Sequence, residues 1–104
     1  MRVTYPTALV LQALLDGHHH GFDIMDATGL PSGTVYPILR RLDAEGLVRS
    51  RWEREAVARR EQRPARRYYE LSAGGRAFAA QAIAQARRAS HLSSGRLAPR
   101  AAED

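Results

Sequence analysis

Cysteine and lysine are both absent from this 104-residue sequence, and long apolar runs are absent as well. Without cysteine the chain has no disulfide, no thiol nucleophile and no zinc site built on thiolates. No stretch reaches the roughly 18 consecutive apolar residues that span a bilayer. Residues 1–15 superficially resemble a signal peptide, but Gln12 interrupts their apolar run and no small-x-small cleavage site follows. We therefore expect a cytoplasmic protein that does not insert into a membrane.

Features typical of enzymes are also scarce. The sequence has no glycine-rich phosphate-binding loop and no serine in a nucleophile elbow, and Asp23 and Asp26 have no partner site. The adjacent residues His18–His20 suggest a metal site, yet three neighbouring side chains do not easily face one ion, and no cluster at i, i+4 spacing completes the site. We predict no catalysis, no cofactor and no bound metal, with metal sensing at the histidines as the less favoured alternative.

The charge is basic and unevenly distributed. All 16 basic residues are arginine, and they exceed the 11 acidic residues to give a formal net charge of +5. Residues 31–46 are neutral overall, whereas residues 47–70 carry eight Arg against four Glu. This basic second half favours a polyanionic partner, of which nucleic acid is the first to expect.

Capping residues and glycines predict four helices, of which two precede residue 28. The first runs from about Pro6 to Asp16, with Thr4 as its N-cap and Gly17 at its end. It is apolar over most of its circumference, so it must be covered on more than one side, and we expect a second subunit to supply part of that cover. A short second helix fits Gly21–Ala27.

The third helix follows a turn at Leu30-Pro31. Ser32 is its predicted N-cap, and the helix reaches about Glu45 before Gly46 ends it. Pro37 lies beyond its first turn, where proline removes one backbone hydrogen bond. We expect a tight or kinked first turn as a result.

The periodicity of the hydrophobic residues changes after residue 46. Leu47–Glu53 and Arg66–Leu71 are rich in β-forming residues and are predicted to pair as a hairpin. The polar segment Arg54–Ala65 between them is predicted to be a mobile loop. A fourth helix is expected from about Ala73 to Ser90.

The order helix–helix–helix–hairpin–helix is that of a winged helix-turn-helix. The predicted fold is therefore mainly α, with three helices, a two-stranded wing and a C-terminal helix. We divide the chain into a DNA-binding domain at 1–72, a C-terminal dimerising helix at 73–91 and a disordered tail at 92–104.

Several segments resemble the PadR-type bacterial transcriptional regulators. They are the recognition-helix stretch Gly29–Val48, the segments His20–Ile24 and Arg63–Ser72, and the pair Gly75-Arg76, which together cover roughly residues 5–80. The combination of Ser-Gly-Thr-x-Tyr-Pro with a later Arg-Tyr-Tyr is specific. The resemblance implies a homodimeric DNA-binding regulator, usually a repressor released by a small molecule or a change of state. The chain is similar to the short subtype, which dimerises through its first and last helices and has no separate C-terminal dimerisation domain.

In a winged helix-turn-helix the third helix lies in the major groove and the wing reaches the backbone or minor groove. Thr34 is the preferred base or phosphate candidate, Ser32 combines N-capping with a phosphate contact, and Tyr36 either contacts DNA or packs on the domain. The arginines around the wing are expected to attract phosphate as a patch. The predicted DNA-contacting residues are Ser32, Thr34, Tyr36, Arg40, Arg41, Arg54, Arg59, Arg60, Arg63 and Arg66.

Two further expectations concern side chains on the hairpin. Trp52 is expected to pair with Tyr68 or Tyr69 on the opposite strand, with stacking of a planar effector as the alternative. Arg66 and Arg67 alternate across a strand, so at most one faces DNA while the other pairs with a neighbouring strand or carboxylate.

We predict a sequence-specific transcriptional regulator, a repressor that binds a pseudo-palindromic operator as a homodimer. Its half-sites would lie about 10 bp apart. The neutral charge of residues 31–46 keeps an alternative open, a winged-helix module that binds a protein without reading DNA sequence. Another alternative is an accessory protein that binds DNA only with a partner regulator. The expected partners are double-stranded DNA, a second copy of the chain and an unknown small-molecule effector.

Overall fold

The fold is a winged helix-turn-helix with a long C-terminal helix, as predicted. A computed structural model describes residues 2–103, and their side chains as far as residue 89. The elements in chain order are α1 (Tyr5–Leu15), α2 (Gly21–Thr28), α3 (Ser32–Ala44), β1 (Val48–Trp52), α4 (Glu55–Arg60), β2 (Arg67–Leu71) and α5 (Ala73–Glu103). No helix in the described part of the chain is both long enough and apolar enough to cross a membrane.

Helix α1 lies at the centre of the domain. The Thr4 hydroxyl caps its start by accepting a hydrogen bond from the Thr7 backbone N–H at 3.4 Å. Gly17, with φ +97°, follows its end, a backbone conformation that favours glycine. The helix packs against α2, α3, α5 and β2, and most of its residues are buried. The chain itself therefore covers α1 on more than one side.

The hydrophobic core joins the helices to the wing. Each fully buried leucine stabilises the fold by about 1.5–3 kcal/mol relative to an exposed one. The core includes Val10, Leu11 and Leu14 of α1, Ile24 of α2, Val35, Ile38, Leu39 and Leu42 of α3, Val48, Tyr69 and Leu71 of the wing, and Ala79, Ala82 and Ile83 of α5.

The turn between α2 and α3 differs from the prediction at one residue. Helix α2 ends at Gly29, which has φ +74°. The N-cap of α3 is Pro31, not Ser32, and its carbonyl accepts hydrogen bonds from the Thr34 and Val35 backbone N–H groups, each at 3.0 Å. The prediction of Ser32 as N-cap is wrong because the N-cap position is taken by Pro31, whose backbone is extended with φ −75°. Ser32 is the first helical residue and is exposed.

The two wing strands are antiparallel, and in the observed register one residue pair differs from the prediction. Trp52 lies opposite Arg67, whereas Tyr68 lies opposite Arg51 and Tyr69 opposite Ser50. The expected pairing of Trp52 with a tyrosine is therefore wrong: β2 begins at Arg67, which places both tyrosines opposite residues that precede Trp52.

The segment Arg54–Ala65 contains a short helix, so its prediction as a mobile loop is wrong. Helix α4 (Glu55–Arg60) buries Ala58, which is 4% exposed. Its acidic residue lies in the first turn and its two arginines in the last, the arrangement that the helix dipole favours. The segment therefore has a defined conformation tied to the rest of the wing.

Helix α5 begins against the wing and packs along α1. The Ser72 hydroxyl accepts a hydrogen bond from the Gly75 backbone N–H at 3.0 Å and donates to the Gly46 carbonyl at 2.9 Å. A Cβ on Gly75 would lie 1.8 Å from the Leu47 carbonyl oxygen, so this close approach requires glycine. The helix extends to Glu103, beyond the predicted end near Ser90. The division of the chain at residues 72 and 91 stays a prediction, and the side chains of 92–104 lie outside the described residues.

Candidate nucleic-acid interface

Helix α3 presents one face to the core and the other to the surface. Its buried stripe is Val35, Ile38, Leu39 and Leu42. Arg40 and Arg41 are exposed, and no ion pair engages either one among the described residues. Ser32 and Gly33 leave the start of the helix exposed. The accessible face thus combines cationic side chains with an open helix N-terminus, where unsatisfied N–H groups favour an anion.

Thr34 and Tyr36 lie at the edges of this face, and both are partly buried. The Tyr36 ring packs over Gly21 so closely that a Cβ on Gly21 would lie 2.0 Å from the tyrosine hydroxyl. Tyr36 therefore joins α3 to the start of α2 and has a packing role. A DNA contact by its hydroxyl stays a prediction.

The wing turn is organised by a buried carboxylate. Glu53 is 9% exposed, and its two oxygens accept hydrogen bonds from Arg63 Nη1 at 2.6 Å and Nη2 at 3.0 Å. The Tyr68 hydroxyl donates to the same carboxylate at 3.1 Å, and the Arg66 backbone N–H donates at 3.3 Å. The Arg63 guanidinium is the main reason that the pKa of Glu53 falls from 4.5 to about 2. Arg63 therefore holds the wing turn through its ion pair with Glu53, and a DNA contact by Arg63 stays a prediction.

The other predicted wing arginines are exposed. They form no ion pair with any described residue, so their charge is available to a phosphate. They are Arg54, Arg59, Arg60 and Arg66.

A second polar network connects α3 to the wing, and the sequence did not reveal it. The Ser50 hydroxyl donates to Asp43 Oδ2 at 3.2 Å, and Arg67 Nη2 donates to the Ser50 oxygen at 2.7 Å. The Arg67 guanidinium also lies 5.3 Å from the centre of the Trp52 ring. Arg67 is thus the arginine that pairs within the wing, while Arg66 points to solvent. The network fixes the wing relative to α3.

Each of the three adjacent histidines has a protein partner. His18 Nδ1 lies 2.9 Å from Asp23 Oδ2, and His19 Nδ1 lies 3.0 Å from the Tyr69 carbonyl oxygen. His20 caps α2 by accepting from the Asp23 backbone N–H at 3.2 Å, and its ring stacks on Tyr68. Burial and then the charge of Arg66 lower the pKa of His20. Among the described residues, no group of three ligands for a metal ion occurs.

This combination of fold, α3 and wing matches a known family. A family model described as "Transcriptional regulator PadR-like family" matches residues 10–81, which is more than half of the chain. The chain belongs to the PadR-like family. The members of this family are described as transcriptional regulators. None of the curated proteins matches this PadR-like chain.

Solved structures share the fold of this PadR-like protein at low sequence identity. A PadR family transcription regulator from hypervirulent Clostridium difficile superposes with a TM-score of 0.74 and 22% identity, over 90% of this chain and 99% of the other. Bordetella bronchiseptica BpsR, whose DNA binding is regulated by 6-hydroxynicotinic acid, gives 0.69 and 24%, over 89% of this chain and 66% of its own. A MarR family transcriptional regulator from Silicibacter pomeroyi gives 0.58 and 23%, over 93% and 64% respectively.

Proposed function

We propose that this PadR-like protein is a sequence-specific DNA-binding repressor. The observation that carries the proposal is the exposed face of α3, where Arg40 and Arg41 are free of ion pairs among the described residues. Long guanidinium side chains on a helix in the major groove read guanine edges by paired hydrogen bonds.

The remaining contacts with DNA come from the start of α3 and from the wing. Ser32 and Thr34, in the first turn of α3, receive a phosphate or a base edge, because the Ser32 and Gly33 backbone N–H groups come before the first hydrogen bonds of the helix, which Thr34 and Val35 donate to the Pro31 carbonyl. The exposed arginines of α4 and its flanks, Arg54, Arg59 and Arg60, attract phosphates without reading sequence.

A homodimer supplies the second half-site. An open groove of about 430 Å³ lies between the start of α1 and the middle of α5, lined by Val3, Tyr5, Ala82, Ala86 and other residues. The Tyr5 side chain is 68% exposed at this groove, so an apolar surface remains there for a second copy to cover. Sedimentation equilibrium tests this interface: the native chain should be a dimer and Ala86→Arg a monomer, with Gln81→Arg on exposed α5 surface as the control. A monomeric native chain contradicts the dimer.

The function is tested by fluorescence anisotropy on the DNA upstream of the protein's own gene and on a scrambled duplex, over a salt series. A repressor should prefer the upstream duplex by about a thousandfold or more. Equal affinities that both fall steeply with salt would mean that the net charge acts alone. That result would contradict sequence reading and favour a winged-helix module that binds a protein.

A further inference from the structure

Three elements meet in one polar network at the junction between α3 and the wing. The Ser50 hydroxyl, on β1, donates a hydrogen bond to Asp43 Oδ2 near the end of α3 at 3.2 Å. The same hydroxyl oxygen accepts from Arg67 Nη2, on β2, at 2.7 Å. Arg67 Nη2 also lies 3.9 Å from Asp43 Oδ2. We call these three side chains the α3–wing tether.

The tether lies at the surface of the domain and not in its core. The side chains of Asp43 and Arg67 are 40% and 39% exposed. Ion pairs that are this exposed are screened by water and contribute little to the stability of a fold. Hydrogen bonds are directional, however, so a network with one member on each of three elements restricts how those elements are oriented. The tether therefore affects the geometry of the domain more than its stability.

The tether joins the two parts of the chain to which the proposed function assigns DNA contacts. Asp43 follows Arg40 by three residues, so the two side chains lie on neighbouring parts of the α3 surface. On the wing, β1 leads directly into α4, which carries the exposed Arg59. The Arg67 guanidinium also lies 5.3 Å from the centre of the ring of Trp52, the last residue of β1. A change at the tether would therefore move the cations of α4 relative to those of α3.

We propose that the α3–wing tether positions the wing for DNA binding. Its three residues hold Arg59 of α4 at the distance from Arg40 of α3 at which both side chains contact one duplex. This inference rests on the proposed function. Contacts on one rigid body form together, whereas a loosened wing must be ordered each time DNA binds, and that ordering weakens the affinity. The tether residues act through the wing and not by touching DNA.

A charge-matched pair of variants separates positioning from simple attraction. Arg67→Gln and Arg51→Gln each remove one positive charge from the wing, but Arg51 lies on the opposite face of the hairpin, where its guanidinium is 4.9 Å from the centre of the Tyr68 ring. Anisotropy over a salt series gives the slope of log Kd against log salt concentration for the upstream duplex. Arg51→Gln should lower this slope by at most about 1, the value for one phosphate, and Arg67→Gln should lower it by about 2, because α4 loses phosphates as well. Equal slopes in the two variants would overturn the proposal.

The hydroxyl group at the centre of the tether gives a second test that changes no charge. Ser50→Ala removes this hydroxyl, whereas Ser50→Thr keeps it on a residue that strands favour. The Kd of Ser50→Ala for the upstream duplex should rise about tenfold, and the Kd of Ser50→Thr should stay within about twofold of the native value. The Tm of Ser50→Ala should remain close to that of the native chain, because the tether is exposed. Native affinity in Ser50→Ala, or an equal loss in both variants, would overturn the proposal.

A double-mutant cycle tests the positioning role most sharply. Arg59→Ala should weaken DNA binding in the native background and change it by less than about twofold in the Ser50→Ala background, where the wing no longer delivers Arg59 to a phosphate. The same loss in both backgrounds would overturn the tether and leave the proposed function intact. No loss in the native background would contradict both the wing contact and its positioning. Failure of the native chain to prefer the upstream duplex would contradict the proposed function by itself, so the two failures give different results.

Discussion

Arg63 and Glu53 form a two-hydrogen-bond ion pair, with Nη1–Oε1 at 2.6 Å and Nη2–Oε2 at 3.0 Å, inside the turn of the wing. The pair joins the end of β1 to the residues after α4 and leaves the carboxylate 9% exposed. It explains why an arginine-rich segment that carries a net positive charge holds a defined shape.

Glu53→Gln should loosen the wing, because the variant keeps the shape of the side chain but leaves the Arg63 guanidinium without its anionic partner. Trypsin cleaves after arginine, so limited proteolysis at Arg54, Arg59 and Arg60 reports the opening of this segment. We expect faster cleavage in Glu53→Gln than in the native chain. The matched control is Glu61→Gln, which neutralises an exposed glutamate of the same segment. Equal cleavage rates in the two variants would show that the ion pair does not hold the wing.

Acid should weaken the same pair in a defined pH range. The folded state lowers the pKa of Glu53 from 4.5 to about 2, chiefly through the hydrogen bonds of Arg63. A carboxyl with a lowered folded-state pKa stabilises the fold above its unfolded pKa, and this contribution is lost as the pH falls toward the folded pKa. The Tm difference between the native chain and Glu53→Gln should therefore be constant above pH 4.5 and shrink toward pH 2. A difference that stays constant across this range would mean that the carboxylate charge is not responsible.

Alanine substitutions at two adjacent glycines at the start of α5 should change the free energy of unfolding in opposite directions. A Cβ on Gly75 would lie 1.8 Å from the Leu47 carbonyl oxygen, whereas a Cβ on Gly74 would meet no atom within 4 Å. Gly75→Ala should lower the free energy of unfolding by about 1–3 kcal/mol, the usual cost of overpacking. Gly74→Ala should raise it by up to about 1 kcal/mol, because alanine loses less conformational entropy in a helix. Urea denaturation measures both, and similar values for the two variants would contradict the close packing of α5 on the wing.

The main helices could be predicted from local signals. Thr4 and Ser72 cap their helices through their own hydroxyl groups, and Gly17, Gly29 and Gly46 take positive φ where the helices end. Such signals act over a few residues, so the sequence carries them directly. The continuous apolar stripe of α3 likewise predicts its buried face.

The wing could be predicted only in part. Helix α4 is six residues long, too short to reveal a helical period, and its stability comes from tertiary contacts. The partner of Glu53 lies ten residues away within an arginine-rich segment, where no local rule selects one arginine over another. The partner of Trp52 depends on the strand register, and a shift of one residue exchanges a tyrosine for Arg67.

The central claim is that α3 reads the DNA sequence while the wing binds phosphates without reading it. Matched substitutions in the two elements test this claim most directly. Anisotropy would compare Arg40→Ala and Arg59→Ala on the upstream duplex and on the scrambled duplex. Arg40→Ala should weaken the upstream duplex by about 1–3 kcal/mol more than the scrambled one, because a base contact is lost. Arg59→Ala should weaken both equally and lower the salt slope by about 1, because a phosphate contact is lost. Equal losses on both duplexes for Arg40→Ala would contradict sequence reading by the exposed face of α3.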